Sequence, residues 1–291
     1  RSPRASAASP AAYPRPRPGT LEPRAPQRPA TRFAAGAGTE AAIEISTWIL
    51  LAAVCVGTSV VSGVMGLAGG MLLLSVLLLR LDPVVAIPVH GVIQLVSNGS
   101  RAWFQRTHVH CDAVWRFAWP LLPAGAAGLV LLRSVPPDAG RLGIGVFVLV
   151  ATWLPGWLRV GAGGGDPRRA LPWGGALVGF ASTSVGATGP LLAPFILALE
   201  LGTQATVGTL AACQSFQHLS KLALFGMAGF EFGRFALPLV GLCLASIAGS
   251  AIGARLLDRI PERAFRTAVR ILLSALALQL VVAGGAELLR R

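Results

Sequence analysis

The chain has 291 residues, of which 54% are hydrophobic and only 13% are charged, whereas a soluble domain is closer to a quarter charged. Apolar runs of about 20 residues recur along most of the chain, which is typical of an α-helical protein that crosses the membrane several times. The formal net charge of +13 would fit nucleic-acid binding. The arginines lie in an N-terminal segment and between apolar runs, not in one basic domain, so no nucleic-acid partner is expected.

The first 44 residues are rich in arginine, proline and alanine and show no apolar periodicity. Such a composition cannot bury enough apolar surface to fold, so we expect a disordered tail over 1–44. The tail has no apolar core, and we therefore do not expect it to act as a signal peptide by itself. A basic, acid-poor targeting peptide is the alternative.

Eight apolar runs follow the tail and predict an all-α membrane protein of about eight transmembrane helices. They cover residues 45–79, 83–104, 113–132, 142–158, 171–201, 204–230, 235–257 and 267–289. A straight helix over the first run would be about 50 Å long, against a hydrocarbon core of about 30 Å, and the fifth run is too long as well. Glycine and proline interrupt both runs, so we expect broken helices there. The glycines expected at the two breaks are Gly66, Gly69, Gly70, Gly186 and Gly189.

Short matches between the two halves indicate an internal duplication. The segment RFAWP at 116–120 recurs as RFALP at 234–238, and GMLL at 70–73 is paralleled by GPLL at 189–192, in one order and at a spacing near 120. Repeats with corresponding interrupted segments are typical of secondary transporters, the alternative being duplicated membrane scaffolding without transport. The predicted units are a first four-span repeat at 45–160, a Gly-rich linker at 161–170 and a second four-span repeat at 171–291.

Each half also contains a polar stripe inside an apolar run. Each stripe has a glutamine, a second polar residue and a cation at positions i, i+4 and i+7, which share one face of a helix. The six residues are Gln94, Asn98 and Arg101 in the first half, and Gln214, His218 and Lys221, the chain's single lysine, in the second. A polar or cationic side chain in contact with lipid is costly, so both stripes should face protein or water.

We interpret these six residues as a substrate path, formed where the two stripes meet, that binds a small anion. The Gly-rich breaks would add backbone N–H groups and helix N-termini, which also favour anions. For Arg101 and Lys221 the alternative is that they lie near span ends and snorkel to the lipid headgroups. His90, alone in an apolar helix, is expected to be packed and hydrogen-bonded, with a proton relay as its alternative.

The sequence shows no nucleophile–base pair and no clear metal site, so we expect no enzymatic activity, no cofactor and no bound metal. A cation substrate would call for carboxylates within the spans, and few are present. Asp82 begins a helix and Glu200 lies at a span end.

Several motifs resemble the sulfite exporter TauE/SafE family of membrane permeases. They are GVMGLAGG at 63–70, DPVVA at 82–86, VGATGP at 185–190, GTQA at 202–205, GT at 208–209 and IPERAFR at 260–266, and the resemblance covers roughly 45–289. Ala68 in the first break, and Ala187 and Thr188 in the second, stand where this family commonly has glycine. The resemblance implies a duplicated four-span unit that moves sulfite, organosulfonates or similar small anions.

The sequence therefore predicts a multi-pass permease of the cell membrane that moves a small anion across the lipid bilayer by alternating access. One alternative is a permease for another small solute, such as an amino acid or a metal ion. Another is a membrane assembly protein without transport. Self-association into a homo-oligomer is left open.

Overall fold

The computed structural model describes residues 45–65, 68–154, 166–186, 188–256 and 262–290, and these ranges are α-helical apart from short turns. The predictions for the tail at 1–44, for Gly66 and for the linker residues 161–165 lie outside the described residues. The eleven α-helices of the described ranges are α1 (Ile45–Met65), α2 (Ala68–Leu78), α3 (Pro83–Phe104), α4 (Cys111–Ala118), α5 (Leu121–Ser134), α6 (Pro137–Trp153), α7 (Leu171–Ser184), α8 (Gly189–Leu197), α9 (Thr203–Met227), α10 (Ala236–Leu256) and α11 (Glu262–Leu289). Three short 3-10 turns accompany them at Arg106–His108, Pro167–Ala170 and Phe232–Phe235.

Both over-long apolar runs contain two helices each. The run at 45–79 holds α1 and α2, and the run at 171–201 holds α7 and α8. In the second run the chain turns at Gly186, whose φ of +96° is rarely adopted by residues with a side chain. Its N–H donates to the carbonyl oxygen of Ala181 at 3.0 Å, which closes the end of α7.

The Gly186 turn is packed against the first half of the chain. A Cβ atom added to Gly186 would lie 2.8 Å from a methyl group of Leu74 on α2 and 3.0 Å from a side-chain carbon of Ile87 on α3. Both the backbone conformation and the close packing therefore require glycine at this position.

The third apolar run differs from the single helix that its composition suggests. It contains α4 and α5, which are separated at Trp119 and Pro120. Trp119 and Pro120 keep helical backbone angles, but proline has no N–H to donate, so the hydrogen bond to the Arg116 carbonyl is lost and the helix is interrupted there. The fourth apolar run, 142–158, corresponds to α6, which begins five residues before the run. Pro137 at the first position of α6 and Asp138 in its first turn favour a helix start there.

Three stretches of the described chain are both long and apolar enough to cross a membrane: Cys111–Ser134, Phe232–Ile252 and Arg270–Leu289. Trp48–Ser62 and Gly69–Leu78 form shorter apolar helices. Helices α3 and α9 have 22 and 25 residues, enough for about 30 Å, but the polar stripes lower their overall hydropathy. Their polar faces are buried by neighbouring helices and need not be apolar.

The helices pack in pairs around α3 and α9, which lie side by side. Helix α10 packs along α1, α11 along α6, and α7 along α5. One apolar cluster is built mainly on α2 and α3 and includes Leu74 and Ile87, and a second joins α4, α7, α8 and α9 around Phe117 and Cys213. The polar faces of α3 and α9 therefore meet between two apolar regions.

An ionic cluster ties the start of α6 to the start of α3. Arg141 donates to Asp82 at 2.5 Å and to Asp138 at 3.2 Å. Asp82 directly precedes α3. These three charges are thus paired at the N-terminal end of α3, away from its polar stripe.

Small residues form the crossings of α1 with α10 and of α5 with α7. The Ser59 hydroxyl donates to Ser246 at 3.0 Å across the first crossing, and the Thr183 hydroxyl donates to the Gly125 carbonyl at 2.7 Å across the second. A Cβ on Gly249 would meet the Ser59 side chain at 2.8 Å and would clash with the Val56 carbonyl. Small residues with interhelical hydrogen bonds are a common form of helix packing in membranes.

We expect Gly249→Ala to destabilise the protein by about 1–3 kcal/mol, because the new methyl group meets backbone atoms of α1 that cannot move aside. The matched control is Gly241→Ala on the same helix, since no atom lies within 4 Å of a Cβ there. The measurement is thermal unfolding of both purified variants in detergent. Equal melting temperatures would contradict close packing of α1 and α10.

Candidate functional site

A narrow cavity lies between α3 and α9 and is closed by the first turns of α2 and α8. The space between its wall atoms is about 310 Å³ when the opening to solvent is included. Most of this space is too narrow for solvent, and the cavity holds only about one water molecule. The residues that line it are Gly70, Met71, His90, Gln94, Asn98, Thr188, Gly189, Gln214, Gln217 and His218. Both polar stripes contribute to this single cavity.

The structure brings together four of the six polar residues that the sequence pattern indicates. Gln94, Asn98, Gln214 and His218 are all buried and line the cavity. Of the glycines at the breaks, Gly70 and Gly189 line it as well. The two cations are not part of the lining and lie behind it.

Gly69 and Gly186 have packing roles beside the cavity. A Cβ on Gly69 would lie 2.6 Å from the backbone nitrogen of Ser62, so Gly69 allows α2 to pack against α1. Gly186 forms the turn between α7 and α8 and presents its carbonyl oxygen to Lys221.

Lys221 is fully buried, with 0% of its surface exposed. Its Nζ donates to the carbonyl oxygen of Gly186 at 2.6 Å. Gly91 on α3 makes room for the side chain, since a Cβ there would lie 3.1 Å from Lys221 Cδ. The ammonium group is thus held at the C-terminal end of α7, where helix carbonyls carry partial negative charge. Lys221 therefore does not extend its ammonium group to the lipid headgroups in this structure.

Arg101 has a corresponding position in the first half. Its Nη2 donates to Asn98 Oδ1 at 2.9 Å and to the Ser62 hydroxyl at 3.5 Å. Ser62 lies in the last turn of α1, so each cation contacts the end of a helix that leads into a break. Asn98 lines the cavity, and the guanidinium is therefore one hydrogen bond away from it.

Five polar atoms in the cavity wall are buried and have no hydrogen-bond partner. They are His90 Nδ1, Thr188 Oγ1, Gln214 Oε1, Gln217 Oε1 and His218 Nδ1. A buried polar group left unpaired costs about 1–3 kcal/mol, and native proteins retain few of them. Rotation of a glutamine amide would present an N–H₂ donor in place of its oxygen. The wall is thus suited to a polar ligand or to water.

Three polar lining residues were not among the predicted site residues. Gln217 lies three residues after Gln214, and His90 lies four residues before Gln94, so helical spacing places each on the face of its stripe. His90 does form the expected hydrogen bond, to the Gly70 carbonyl at 3.0 Å, but it also lines the cavity. Thr188 precedes α8, and its position depends on how that helix is folded back.

The local charge of the cavity favours an anion. The sequences of α2, α3, α7, α8 and α9 contain no aspartate or glutamate. The first turns of α2 and α8 reach the wall and contribute the partial positive charge of helix N-termini. In the described ranges, no group of three or more His, Cys, Asp or Glu side chains is arranged to hold a metal ion.

Comparison with known proteins agrees with the resemblance seen in the motifs. The family model described as "Sulfite exporter TauE/SafE" matches residues 49–280, from the first turns of α1 to α11. No curated protein and no solved structure matches the chain. Since the family match covers most of the chain and includes the cavity, the protein belongs to the sulfite exporter TauE/SafE family of membrane transporters.

Proposed function

We propose that the protein moves a small sulfur oxyanion, sulfite or an organosulfonate, across the cell membrane through the cavity between α3 and α9. The observation that carries this proposal is the composition of the cavity wall. It combines amides, imidazoles and two helix N-termini with two cations directly behind it, and no carboxylate occurs on the five helices around it.

The same composition argues against a metal ion as substrate. A permease for hard cations needs carboxylate or carbonyl oxygens to replace the ion's water shell. Here a cation would approach the positive charges of Arg101 and of protonated Lys221, and this repulsion is strong in a low-dielectric interior. An anion is attracted by the same charges.

The anion's oxygens would accept hydrogen bonds from the amide groups of Gln94, Gln214 and Gln217 and from backbone N–H groups of α2 and α8. Lys221 and Arg101 would offset the negative charge without contacting the anion. Together these groups would replace much of the water lost when the anion enters the protein.

We further propose that the two halves alternate between openings to the two sides of the membrane. The narrow cavity supports this idea, since it holds only about one water molecule and the walls must move apart to admit a sulfite-sized ion. The helix pairing also fits two equivalent repeats of four spans each, 45–160 and 171–291. Helix α1 of the first half packs on α10 of the second, and α7 of the second packs on α5 of the first.

Gly70→Ala should reduce transport on the order of tenfold, because a Cβ there lies 2.6 Å from Gln94 Nε2 and displaces the amide. The amide is the mobile end of its side chain, so the fold should be retained. Uptake of labelled sulfite into proteoliposomes measures the effect. Gly57→Ala on α1 is the control, since a Cβ there has no neighbour within 4 Å. Wild-type transport by Gly70→Ala would exclude Gln94 from the path.

Lys221→Met should lower anion transport at least about tenfold, equivalent to about 1.4 kcal/mol of lost anion binding. It removes the charge behind the wall and the hydrogen bond to Gly186. The control is Leu219→Met on the same helix, at a position that is 52% exposed. Membrane yield and melting temperature show whether the variants fold. A folded Lys221→Met protein with wild-type transport would remove the lysine from the mechanism.

The substrate class is tested by thermal unfolding of the detergent-purified protein with sulfite, sulfate, thiosulfate, sulfoacetate and acetate, and with neutral and cationic solutes. A ligand at a hundredfold excess over its Kd should add about 2.7 kcal/mol to the stability. We expect such an increase with one or more sulfur anions, and a smaller one in Lys221→Met. Stabilisation only by cationic or neutral solutes would overturn the proposal.

A further inference from the structure

Two histidines face each other in the cavity. The rings of His90 on α3 and His218 on α9 have centroids 5.8 Å apart and an interplanar angle of 76°. Both side chains are buried, with 1% and 4% of their surface exposed. Binding an anion by amides, Arg101 and Lys221 does not require this histidine pair, so its presence needs another explanation.

The hydrogen bond of His90 fixes the position of its proton. Its Nε2 lies 3.0 Å from the Gly70 carbonyl oxygen, which can only accept, so Nε2 carries the hydrogen. In the neutral ring the lone pair is then on Nδ1, and this atom is buried without a hydrogen-bond partner. His218 Nδ1 is also buried without a partner. The cavity therefore contains a ring nitrogen that is ready to accept a proton.

The surroundings of the pair determine when a proton can be held. Lys221 lies on α9 three residues after His218, and in the described part of the chain no carboxylate pairs with it. Arg101 lies behind the wall and donates to Asn98 and Ser62. The remaining titratable or charged groups described on the helices packed against α3 and α9 lie elsewhere: Asp82, Asp138 and Arg141 together at the start of α3, Arg133 on the Ala228 carbonyl, Asp112 and Arg116 paired at the surface, and the thiols of Cys111, Cys213 and Cys243. A protonated His90 would face a cation and no protein anion, so it needs a negative charge from a ligand.

We propose that the His90–His218 pair binds one proton together with each transported anion, so that transport is coupled to the proton gradient. This inference rests on the proposed function and adds the coupling ion. On entry, the Nδ1 lone pair of His90 forms an N–H bond with a proton from water, and the new N–H points to the anion or to His218. On exit, this bond breaks and the proton returns to water with the departing anion.

Co-binding has an energetic basis. A buried anion and a buried imidazolium are each costly alone, but together they are neutral and attract each other strongly at low dielectric. By linkage, the anion favours protonation and the proton favours anion binding by the same factor. When the anion is monovalent, transport of one anion with one proton moves no net charge across the membrane.

The experiment uses the full chain in proteoliposomes with an imposed pH gradient, alkaline inside, of about one unit, and labelled anion at equal concentration on both sides. The probes are methanesulfonate, which stays ionised and cannot carry the proton itself, and sulfite, with protein-free liposomes as the background. One-to-one coupling should concentrate the anion inside up to about tenfold. This steady-state ratio does not depend on the rate, so a slower variant can still be compared.

We expect His90→Gln to bring the ratio close to one, whereas the exposed His108→Gln should accumulate anion like the wild type. Wild-type protein that equilibrates either anion without accumulating it would overturn the coupling and leave the proposed function standing. Wild-type protein that transports neither anion would overturn both. Accumulation only under the reversed gradient would contradict binding of proton and anion together.

A second measurement keeps the assignment to His90 testable if its variant transports poorly. Anion-induced thermal stabilisation should increase from about pH 8 to about pH 6 in the wild type. It should be present but depend less on pH in His90→Gln, where the amides and Lys221 still hold the anion. A pH-dependent increase as large as the wild type's, or no stabilisation at either pH, would contradict the role of His90.

Discussion

A polar stripe on a helix of a membrane protein is costly to expose to lipid, and the packing of α3 against α9 buries both stripes. Lipid cannot hydrogen-bond amides or an ammonium group, so each stripe is most stable against another polar surface. The two stripes supply that surface to each other, and the apolar clusters on either side exclude lipid from the contact. The cavity is thus a direct result of burying polar side chains in an apolar chain.

The helix breaks serve the same contact in two ways. They turn α2 and α8 so that their first residues close the cavity, and they end α1 and α7 so that the last residues can accept hydrogen bonds. Lys221 donates a hydrogen bond to the Gly186 carbonyl, and Arg101 donates one to the Ser62 hydroxyl. The chain thereby holds the buried Lys221 and the partly buried Arg101 with polar contacts to helix ends, and both place positive charge beside the cavity.

Sequence reasoning found the residues whose position depends only on helical periodicity. Gln94, Asn98, Gln214 and His218 share faces of their helices because an α-helix turns every 3.6 residues, whatever its surroundings. The contact of Lys221 with Gly186 spans 35 positions and depends on tertiary packing, so it could not be read from spacing. Thr188 was missed for the same reason. The interruption at Trp119 and Pro120 was readable in principle, since proline has no N–H to donate to the preceding turn.

The turn at Gly186 contacts both halves of the chain. It belongs to the second half, yet Leu74 of α2 and Ile87 of α3 pack against it from the first, and Lys221 holds its carbonyl from α9. A rotation of the backbone at this one residue would press on α2 and α3 and would pull on the lysine at the same time. A change in the backbone of this one turn would therefore disturb contacts in both halves of the chain at once.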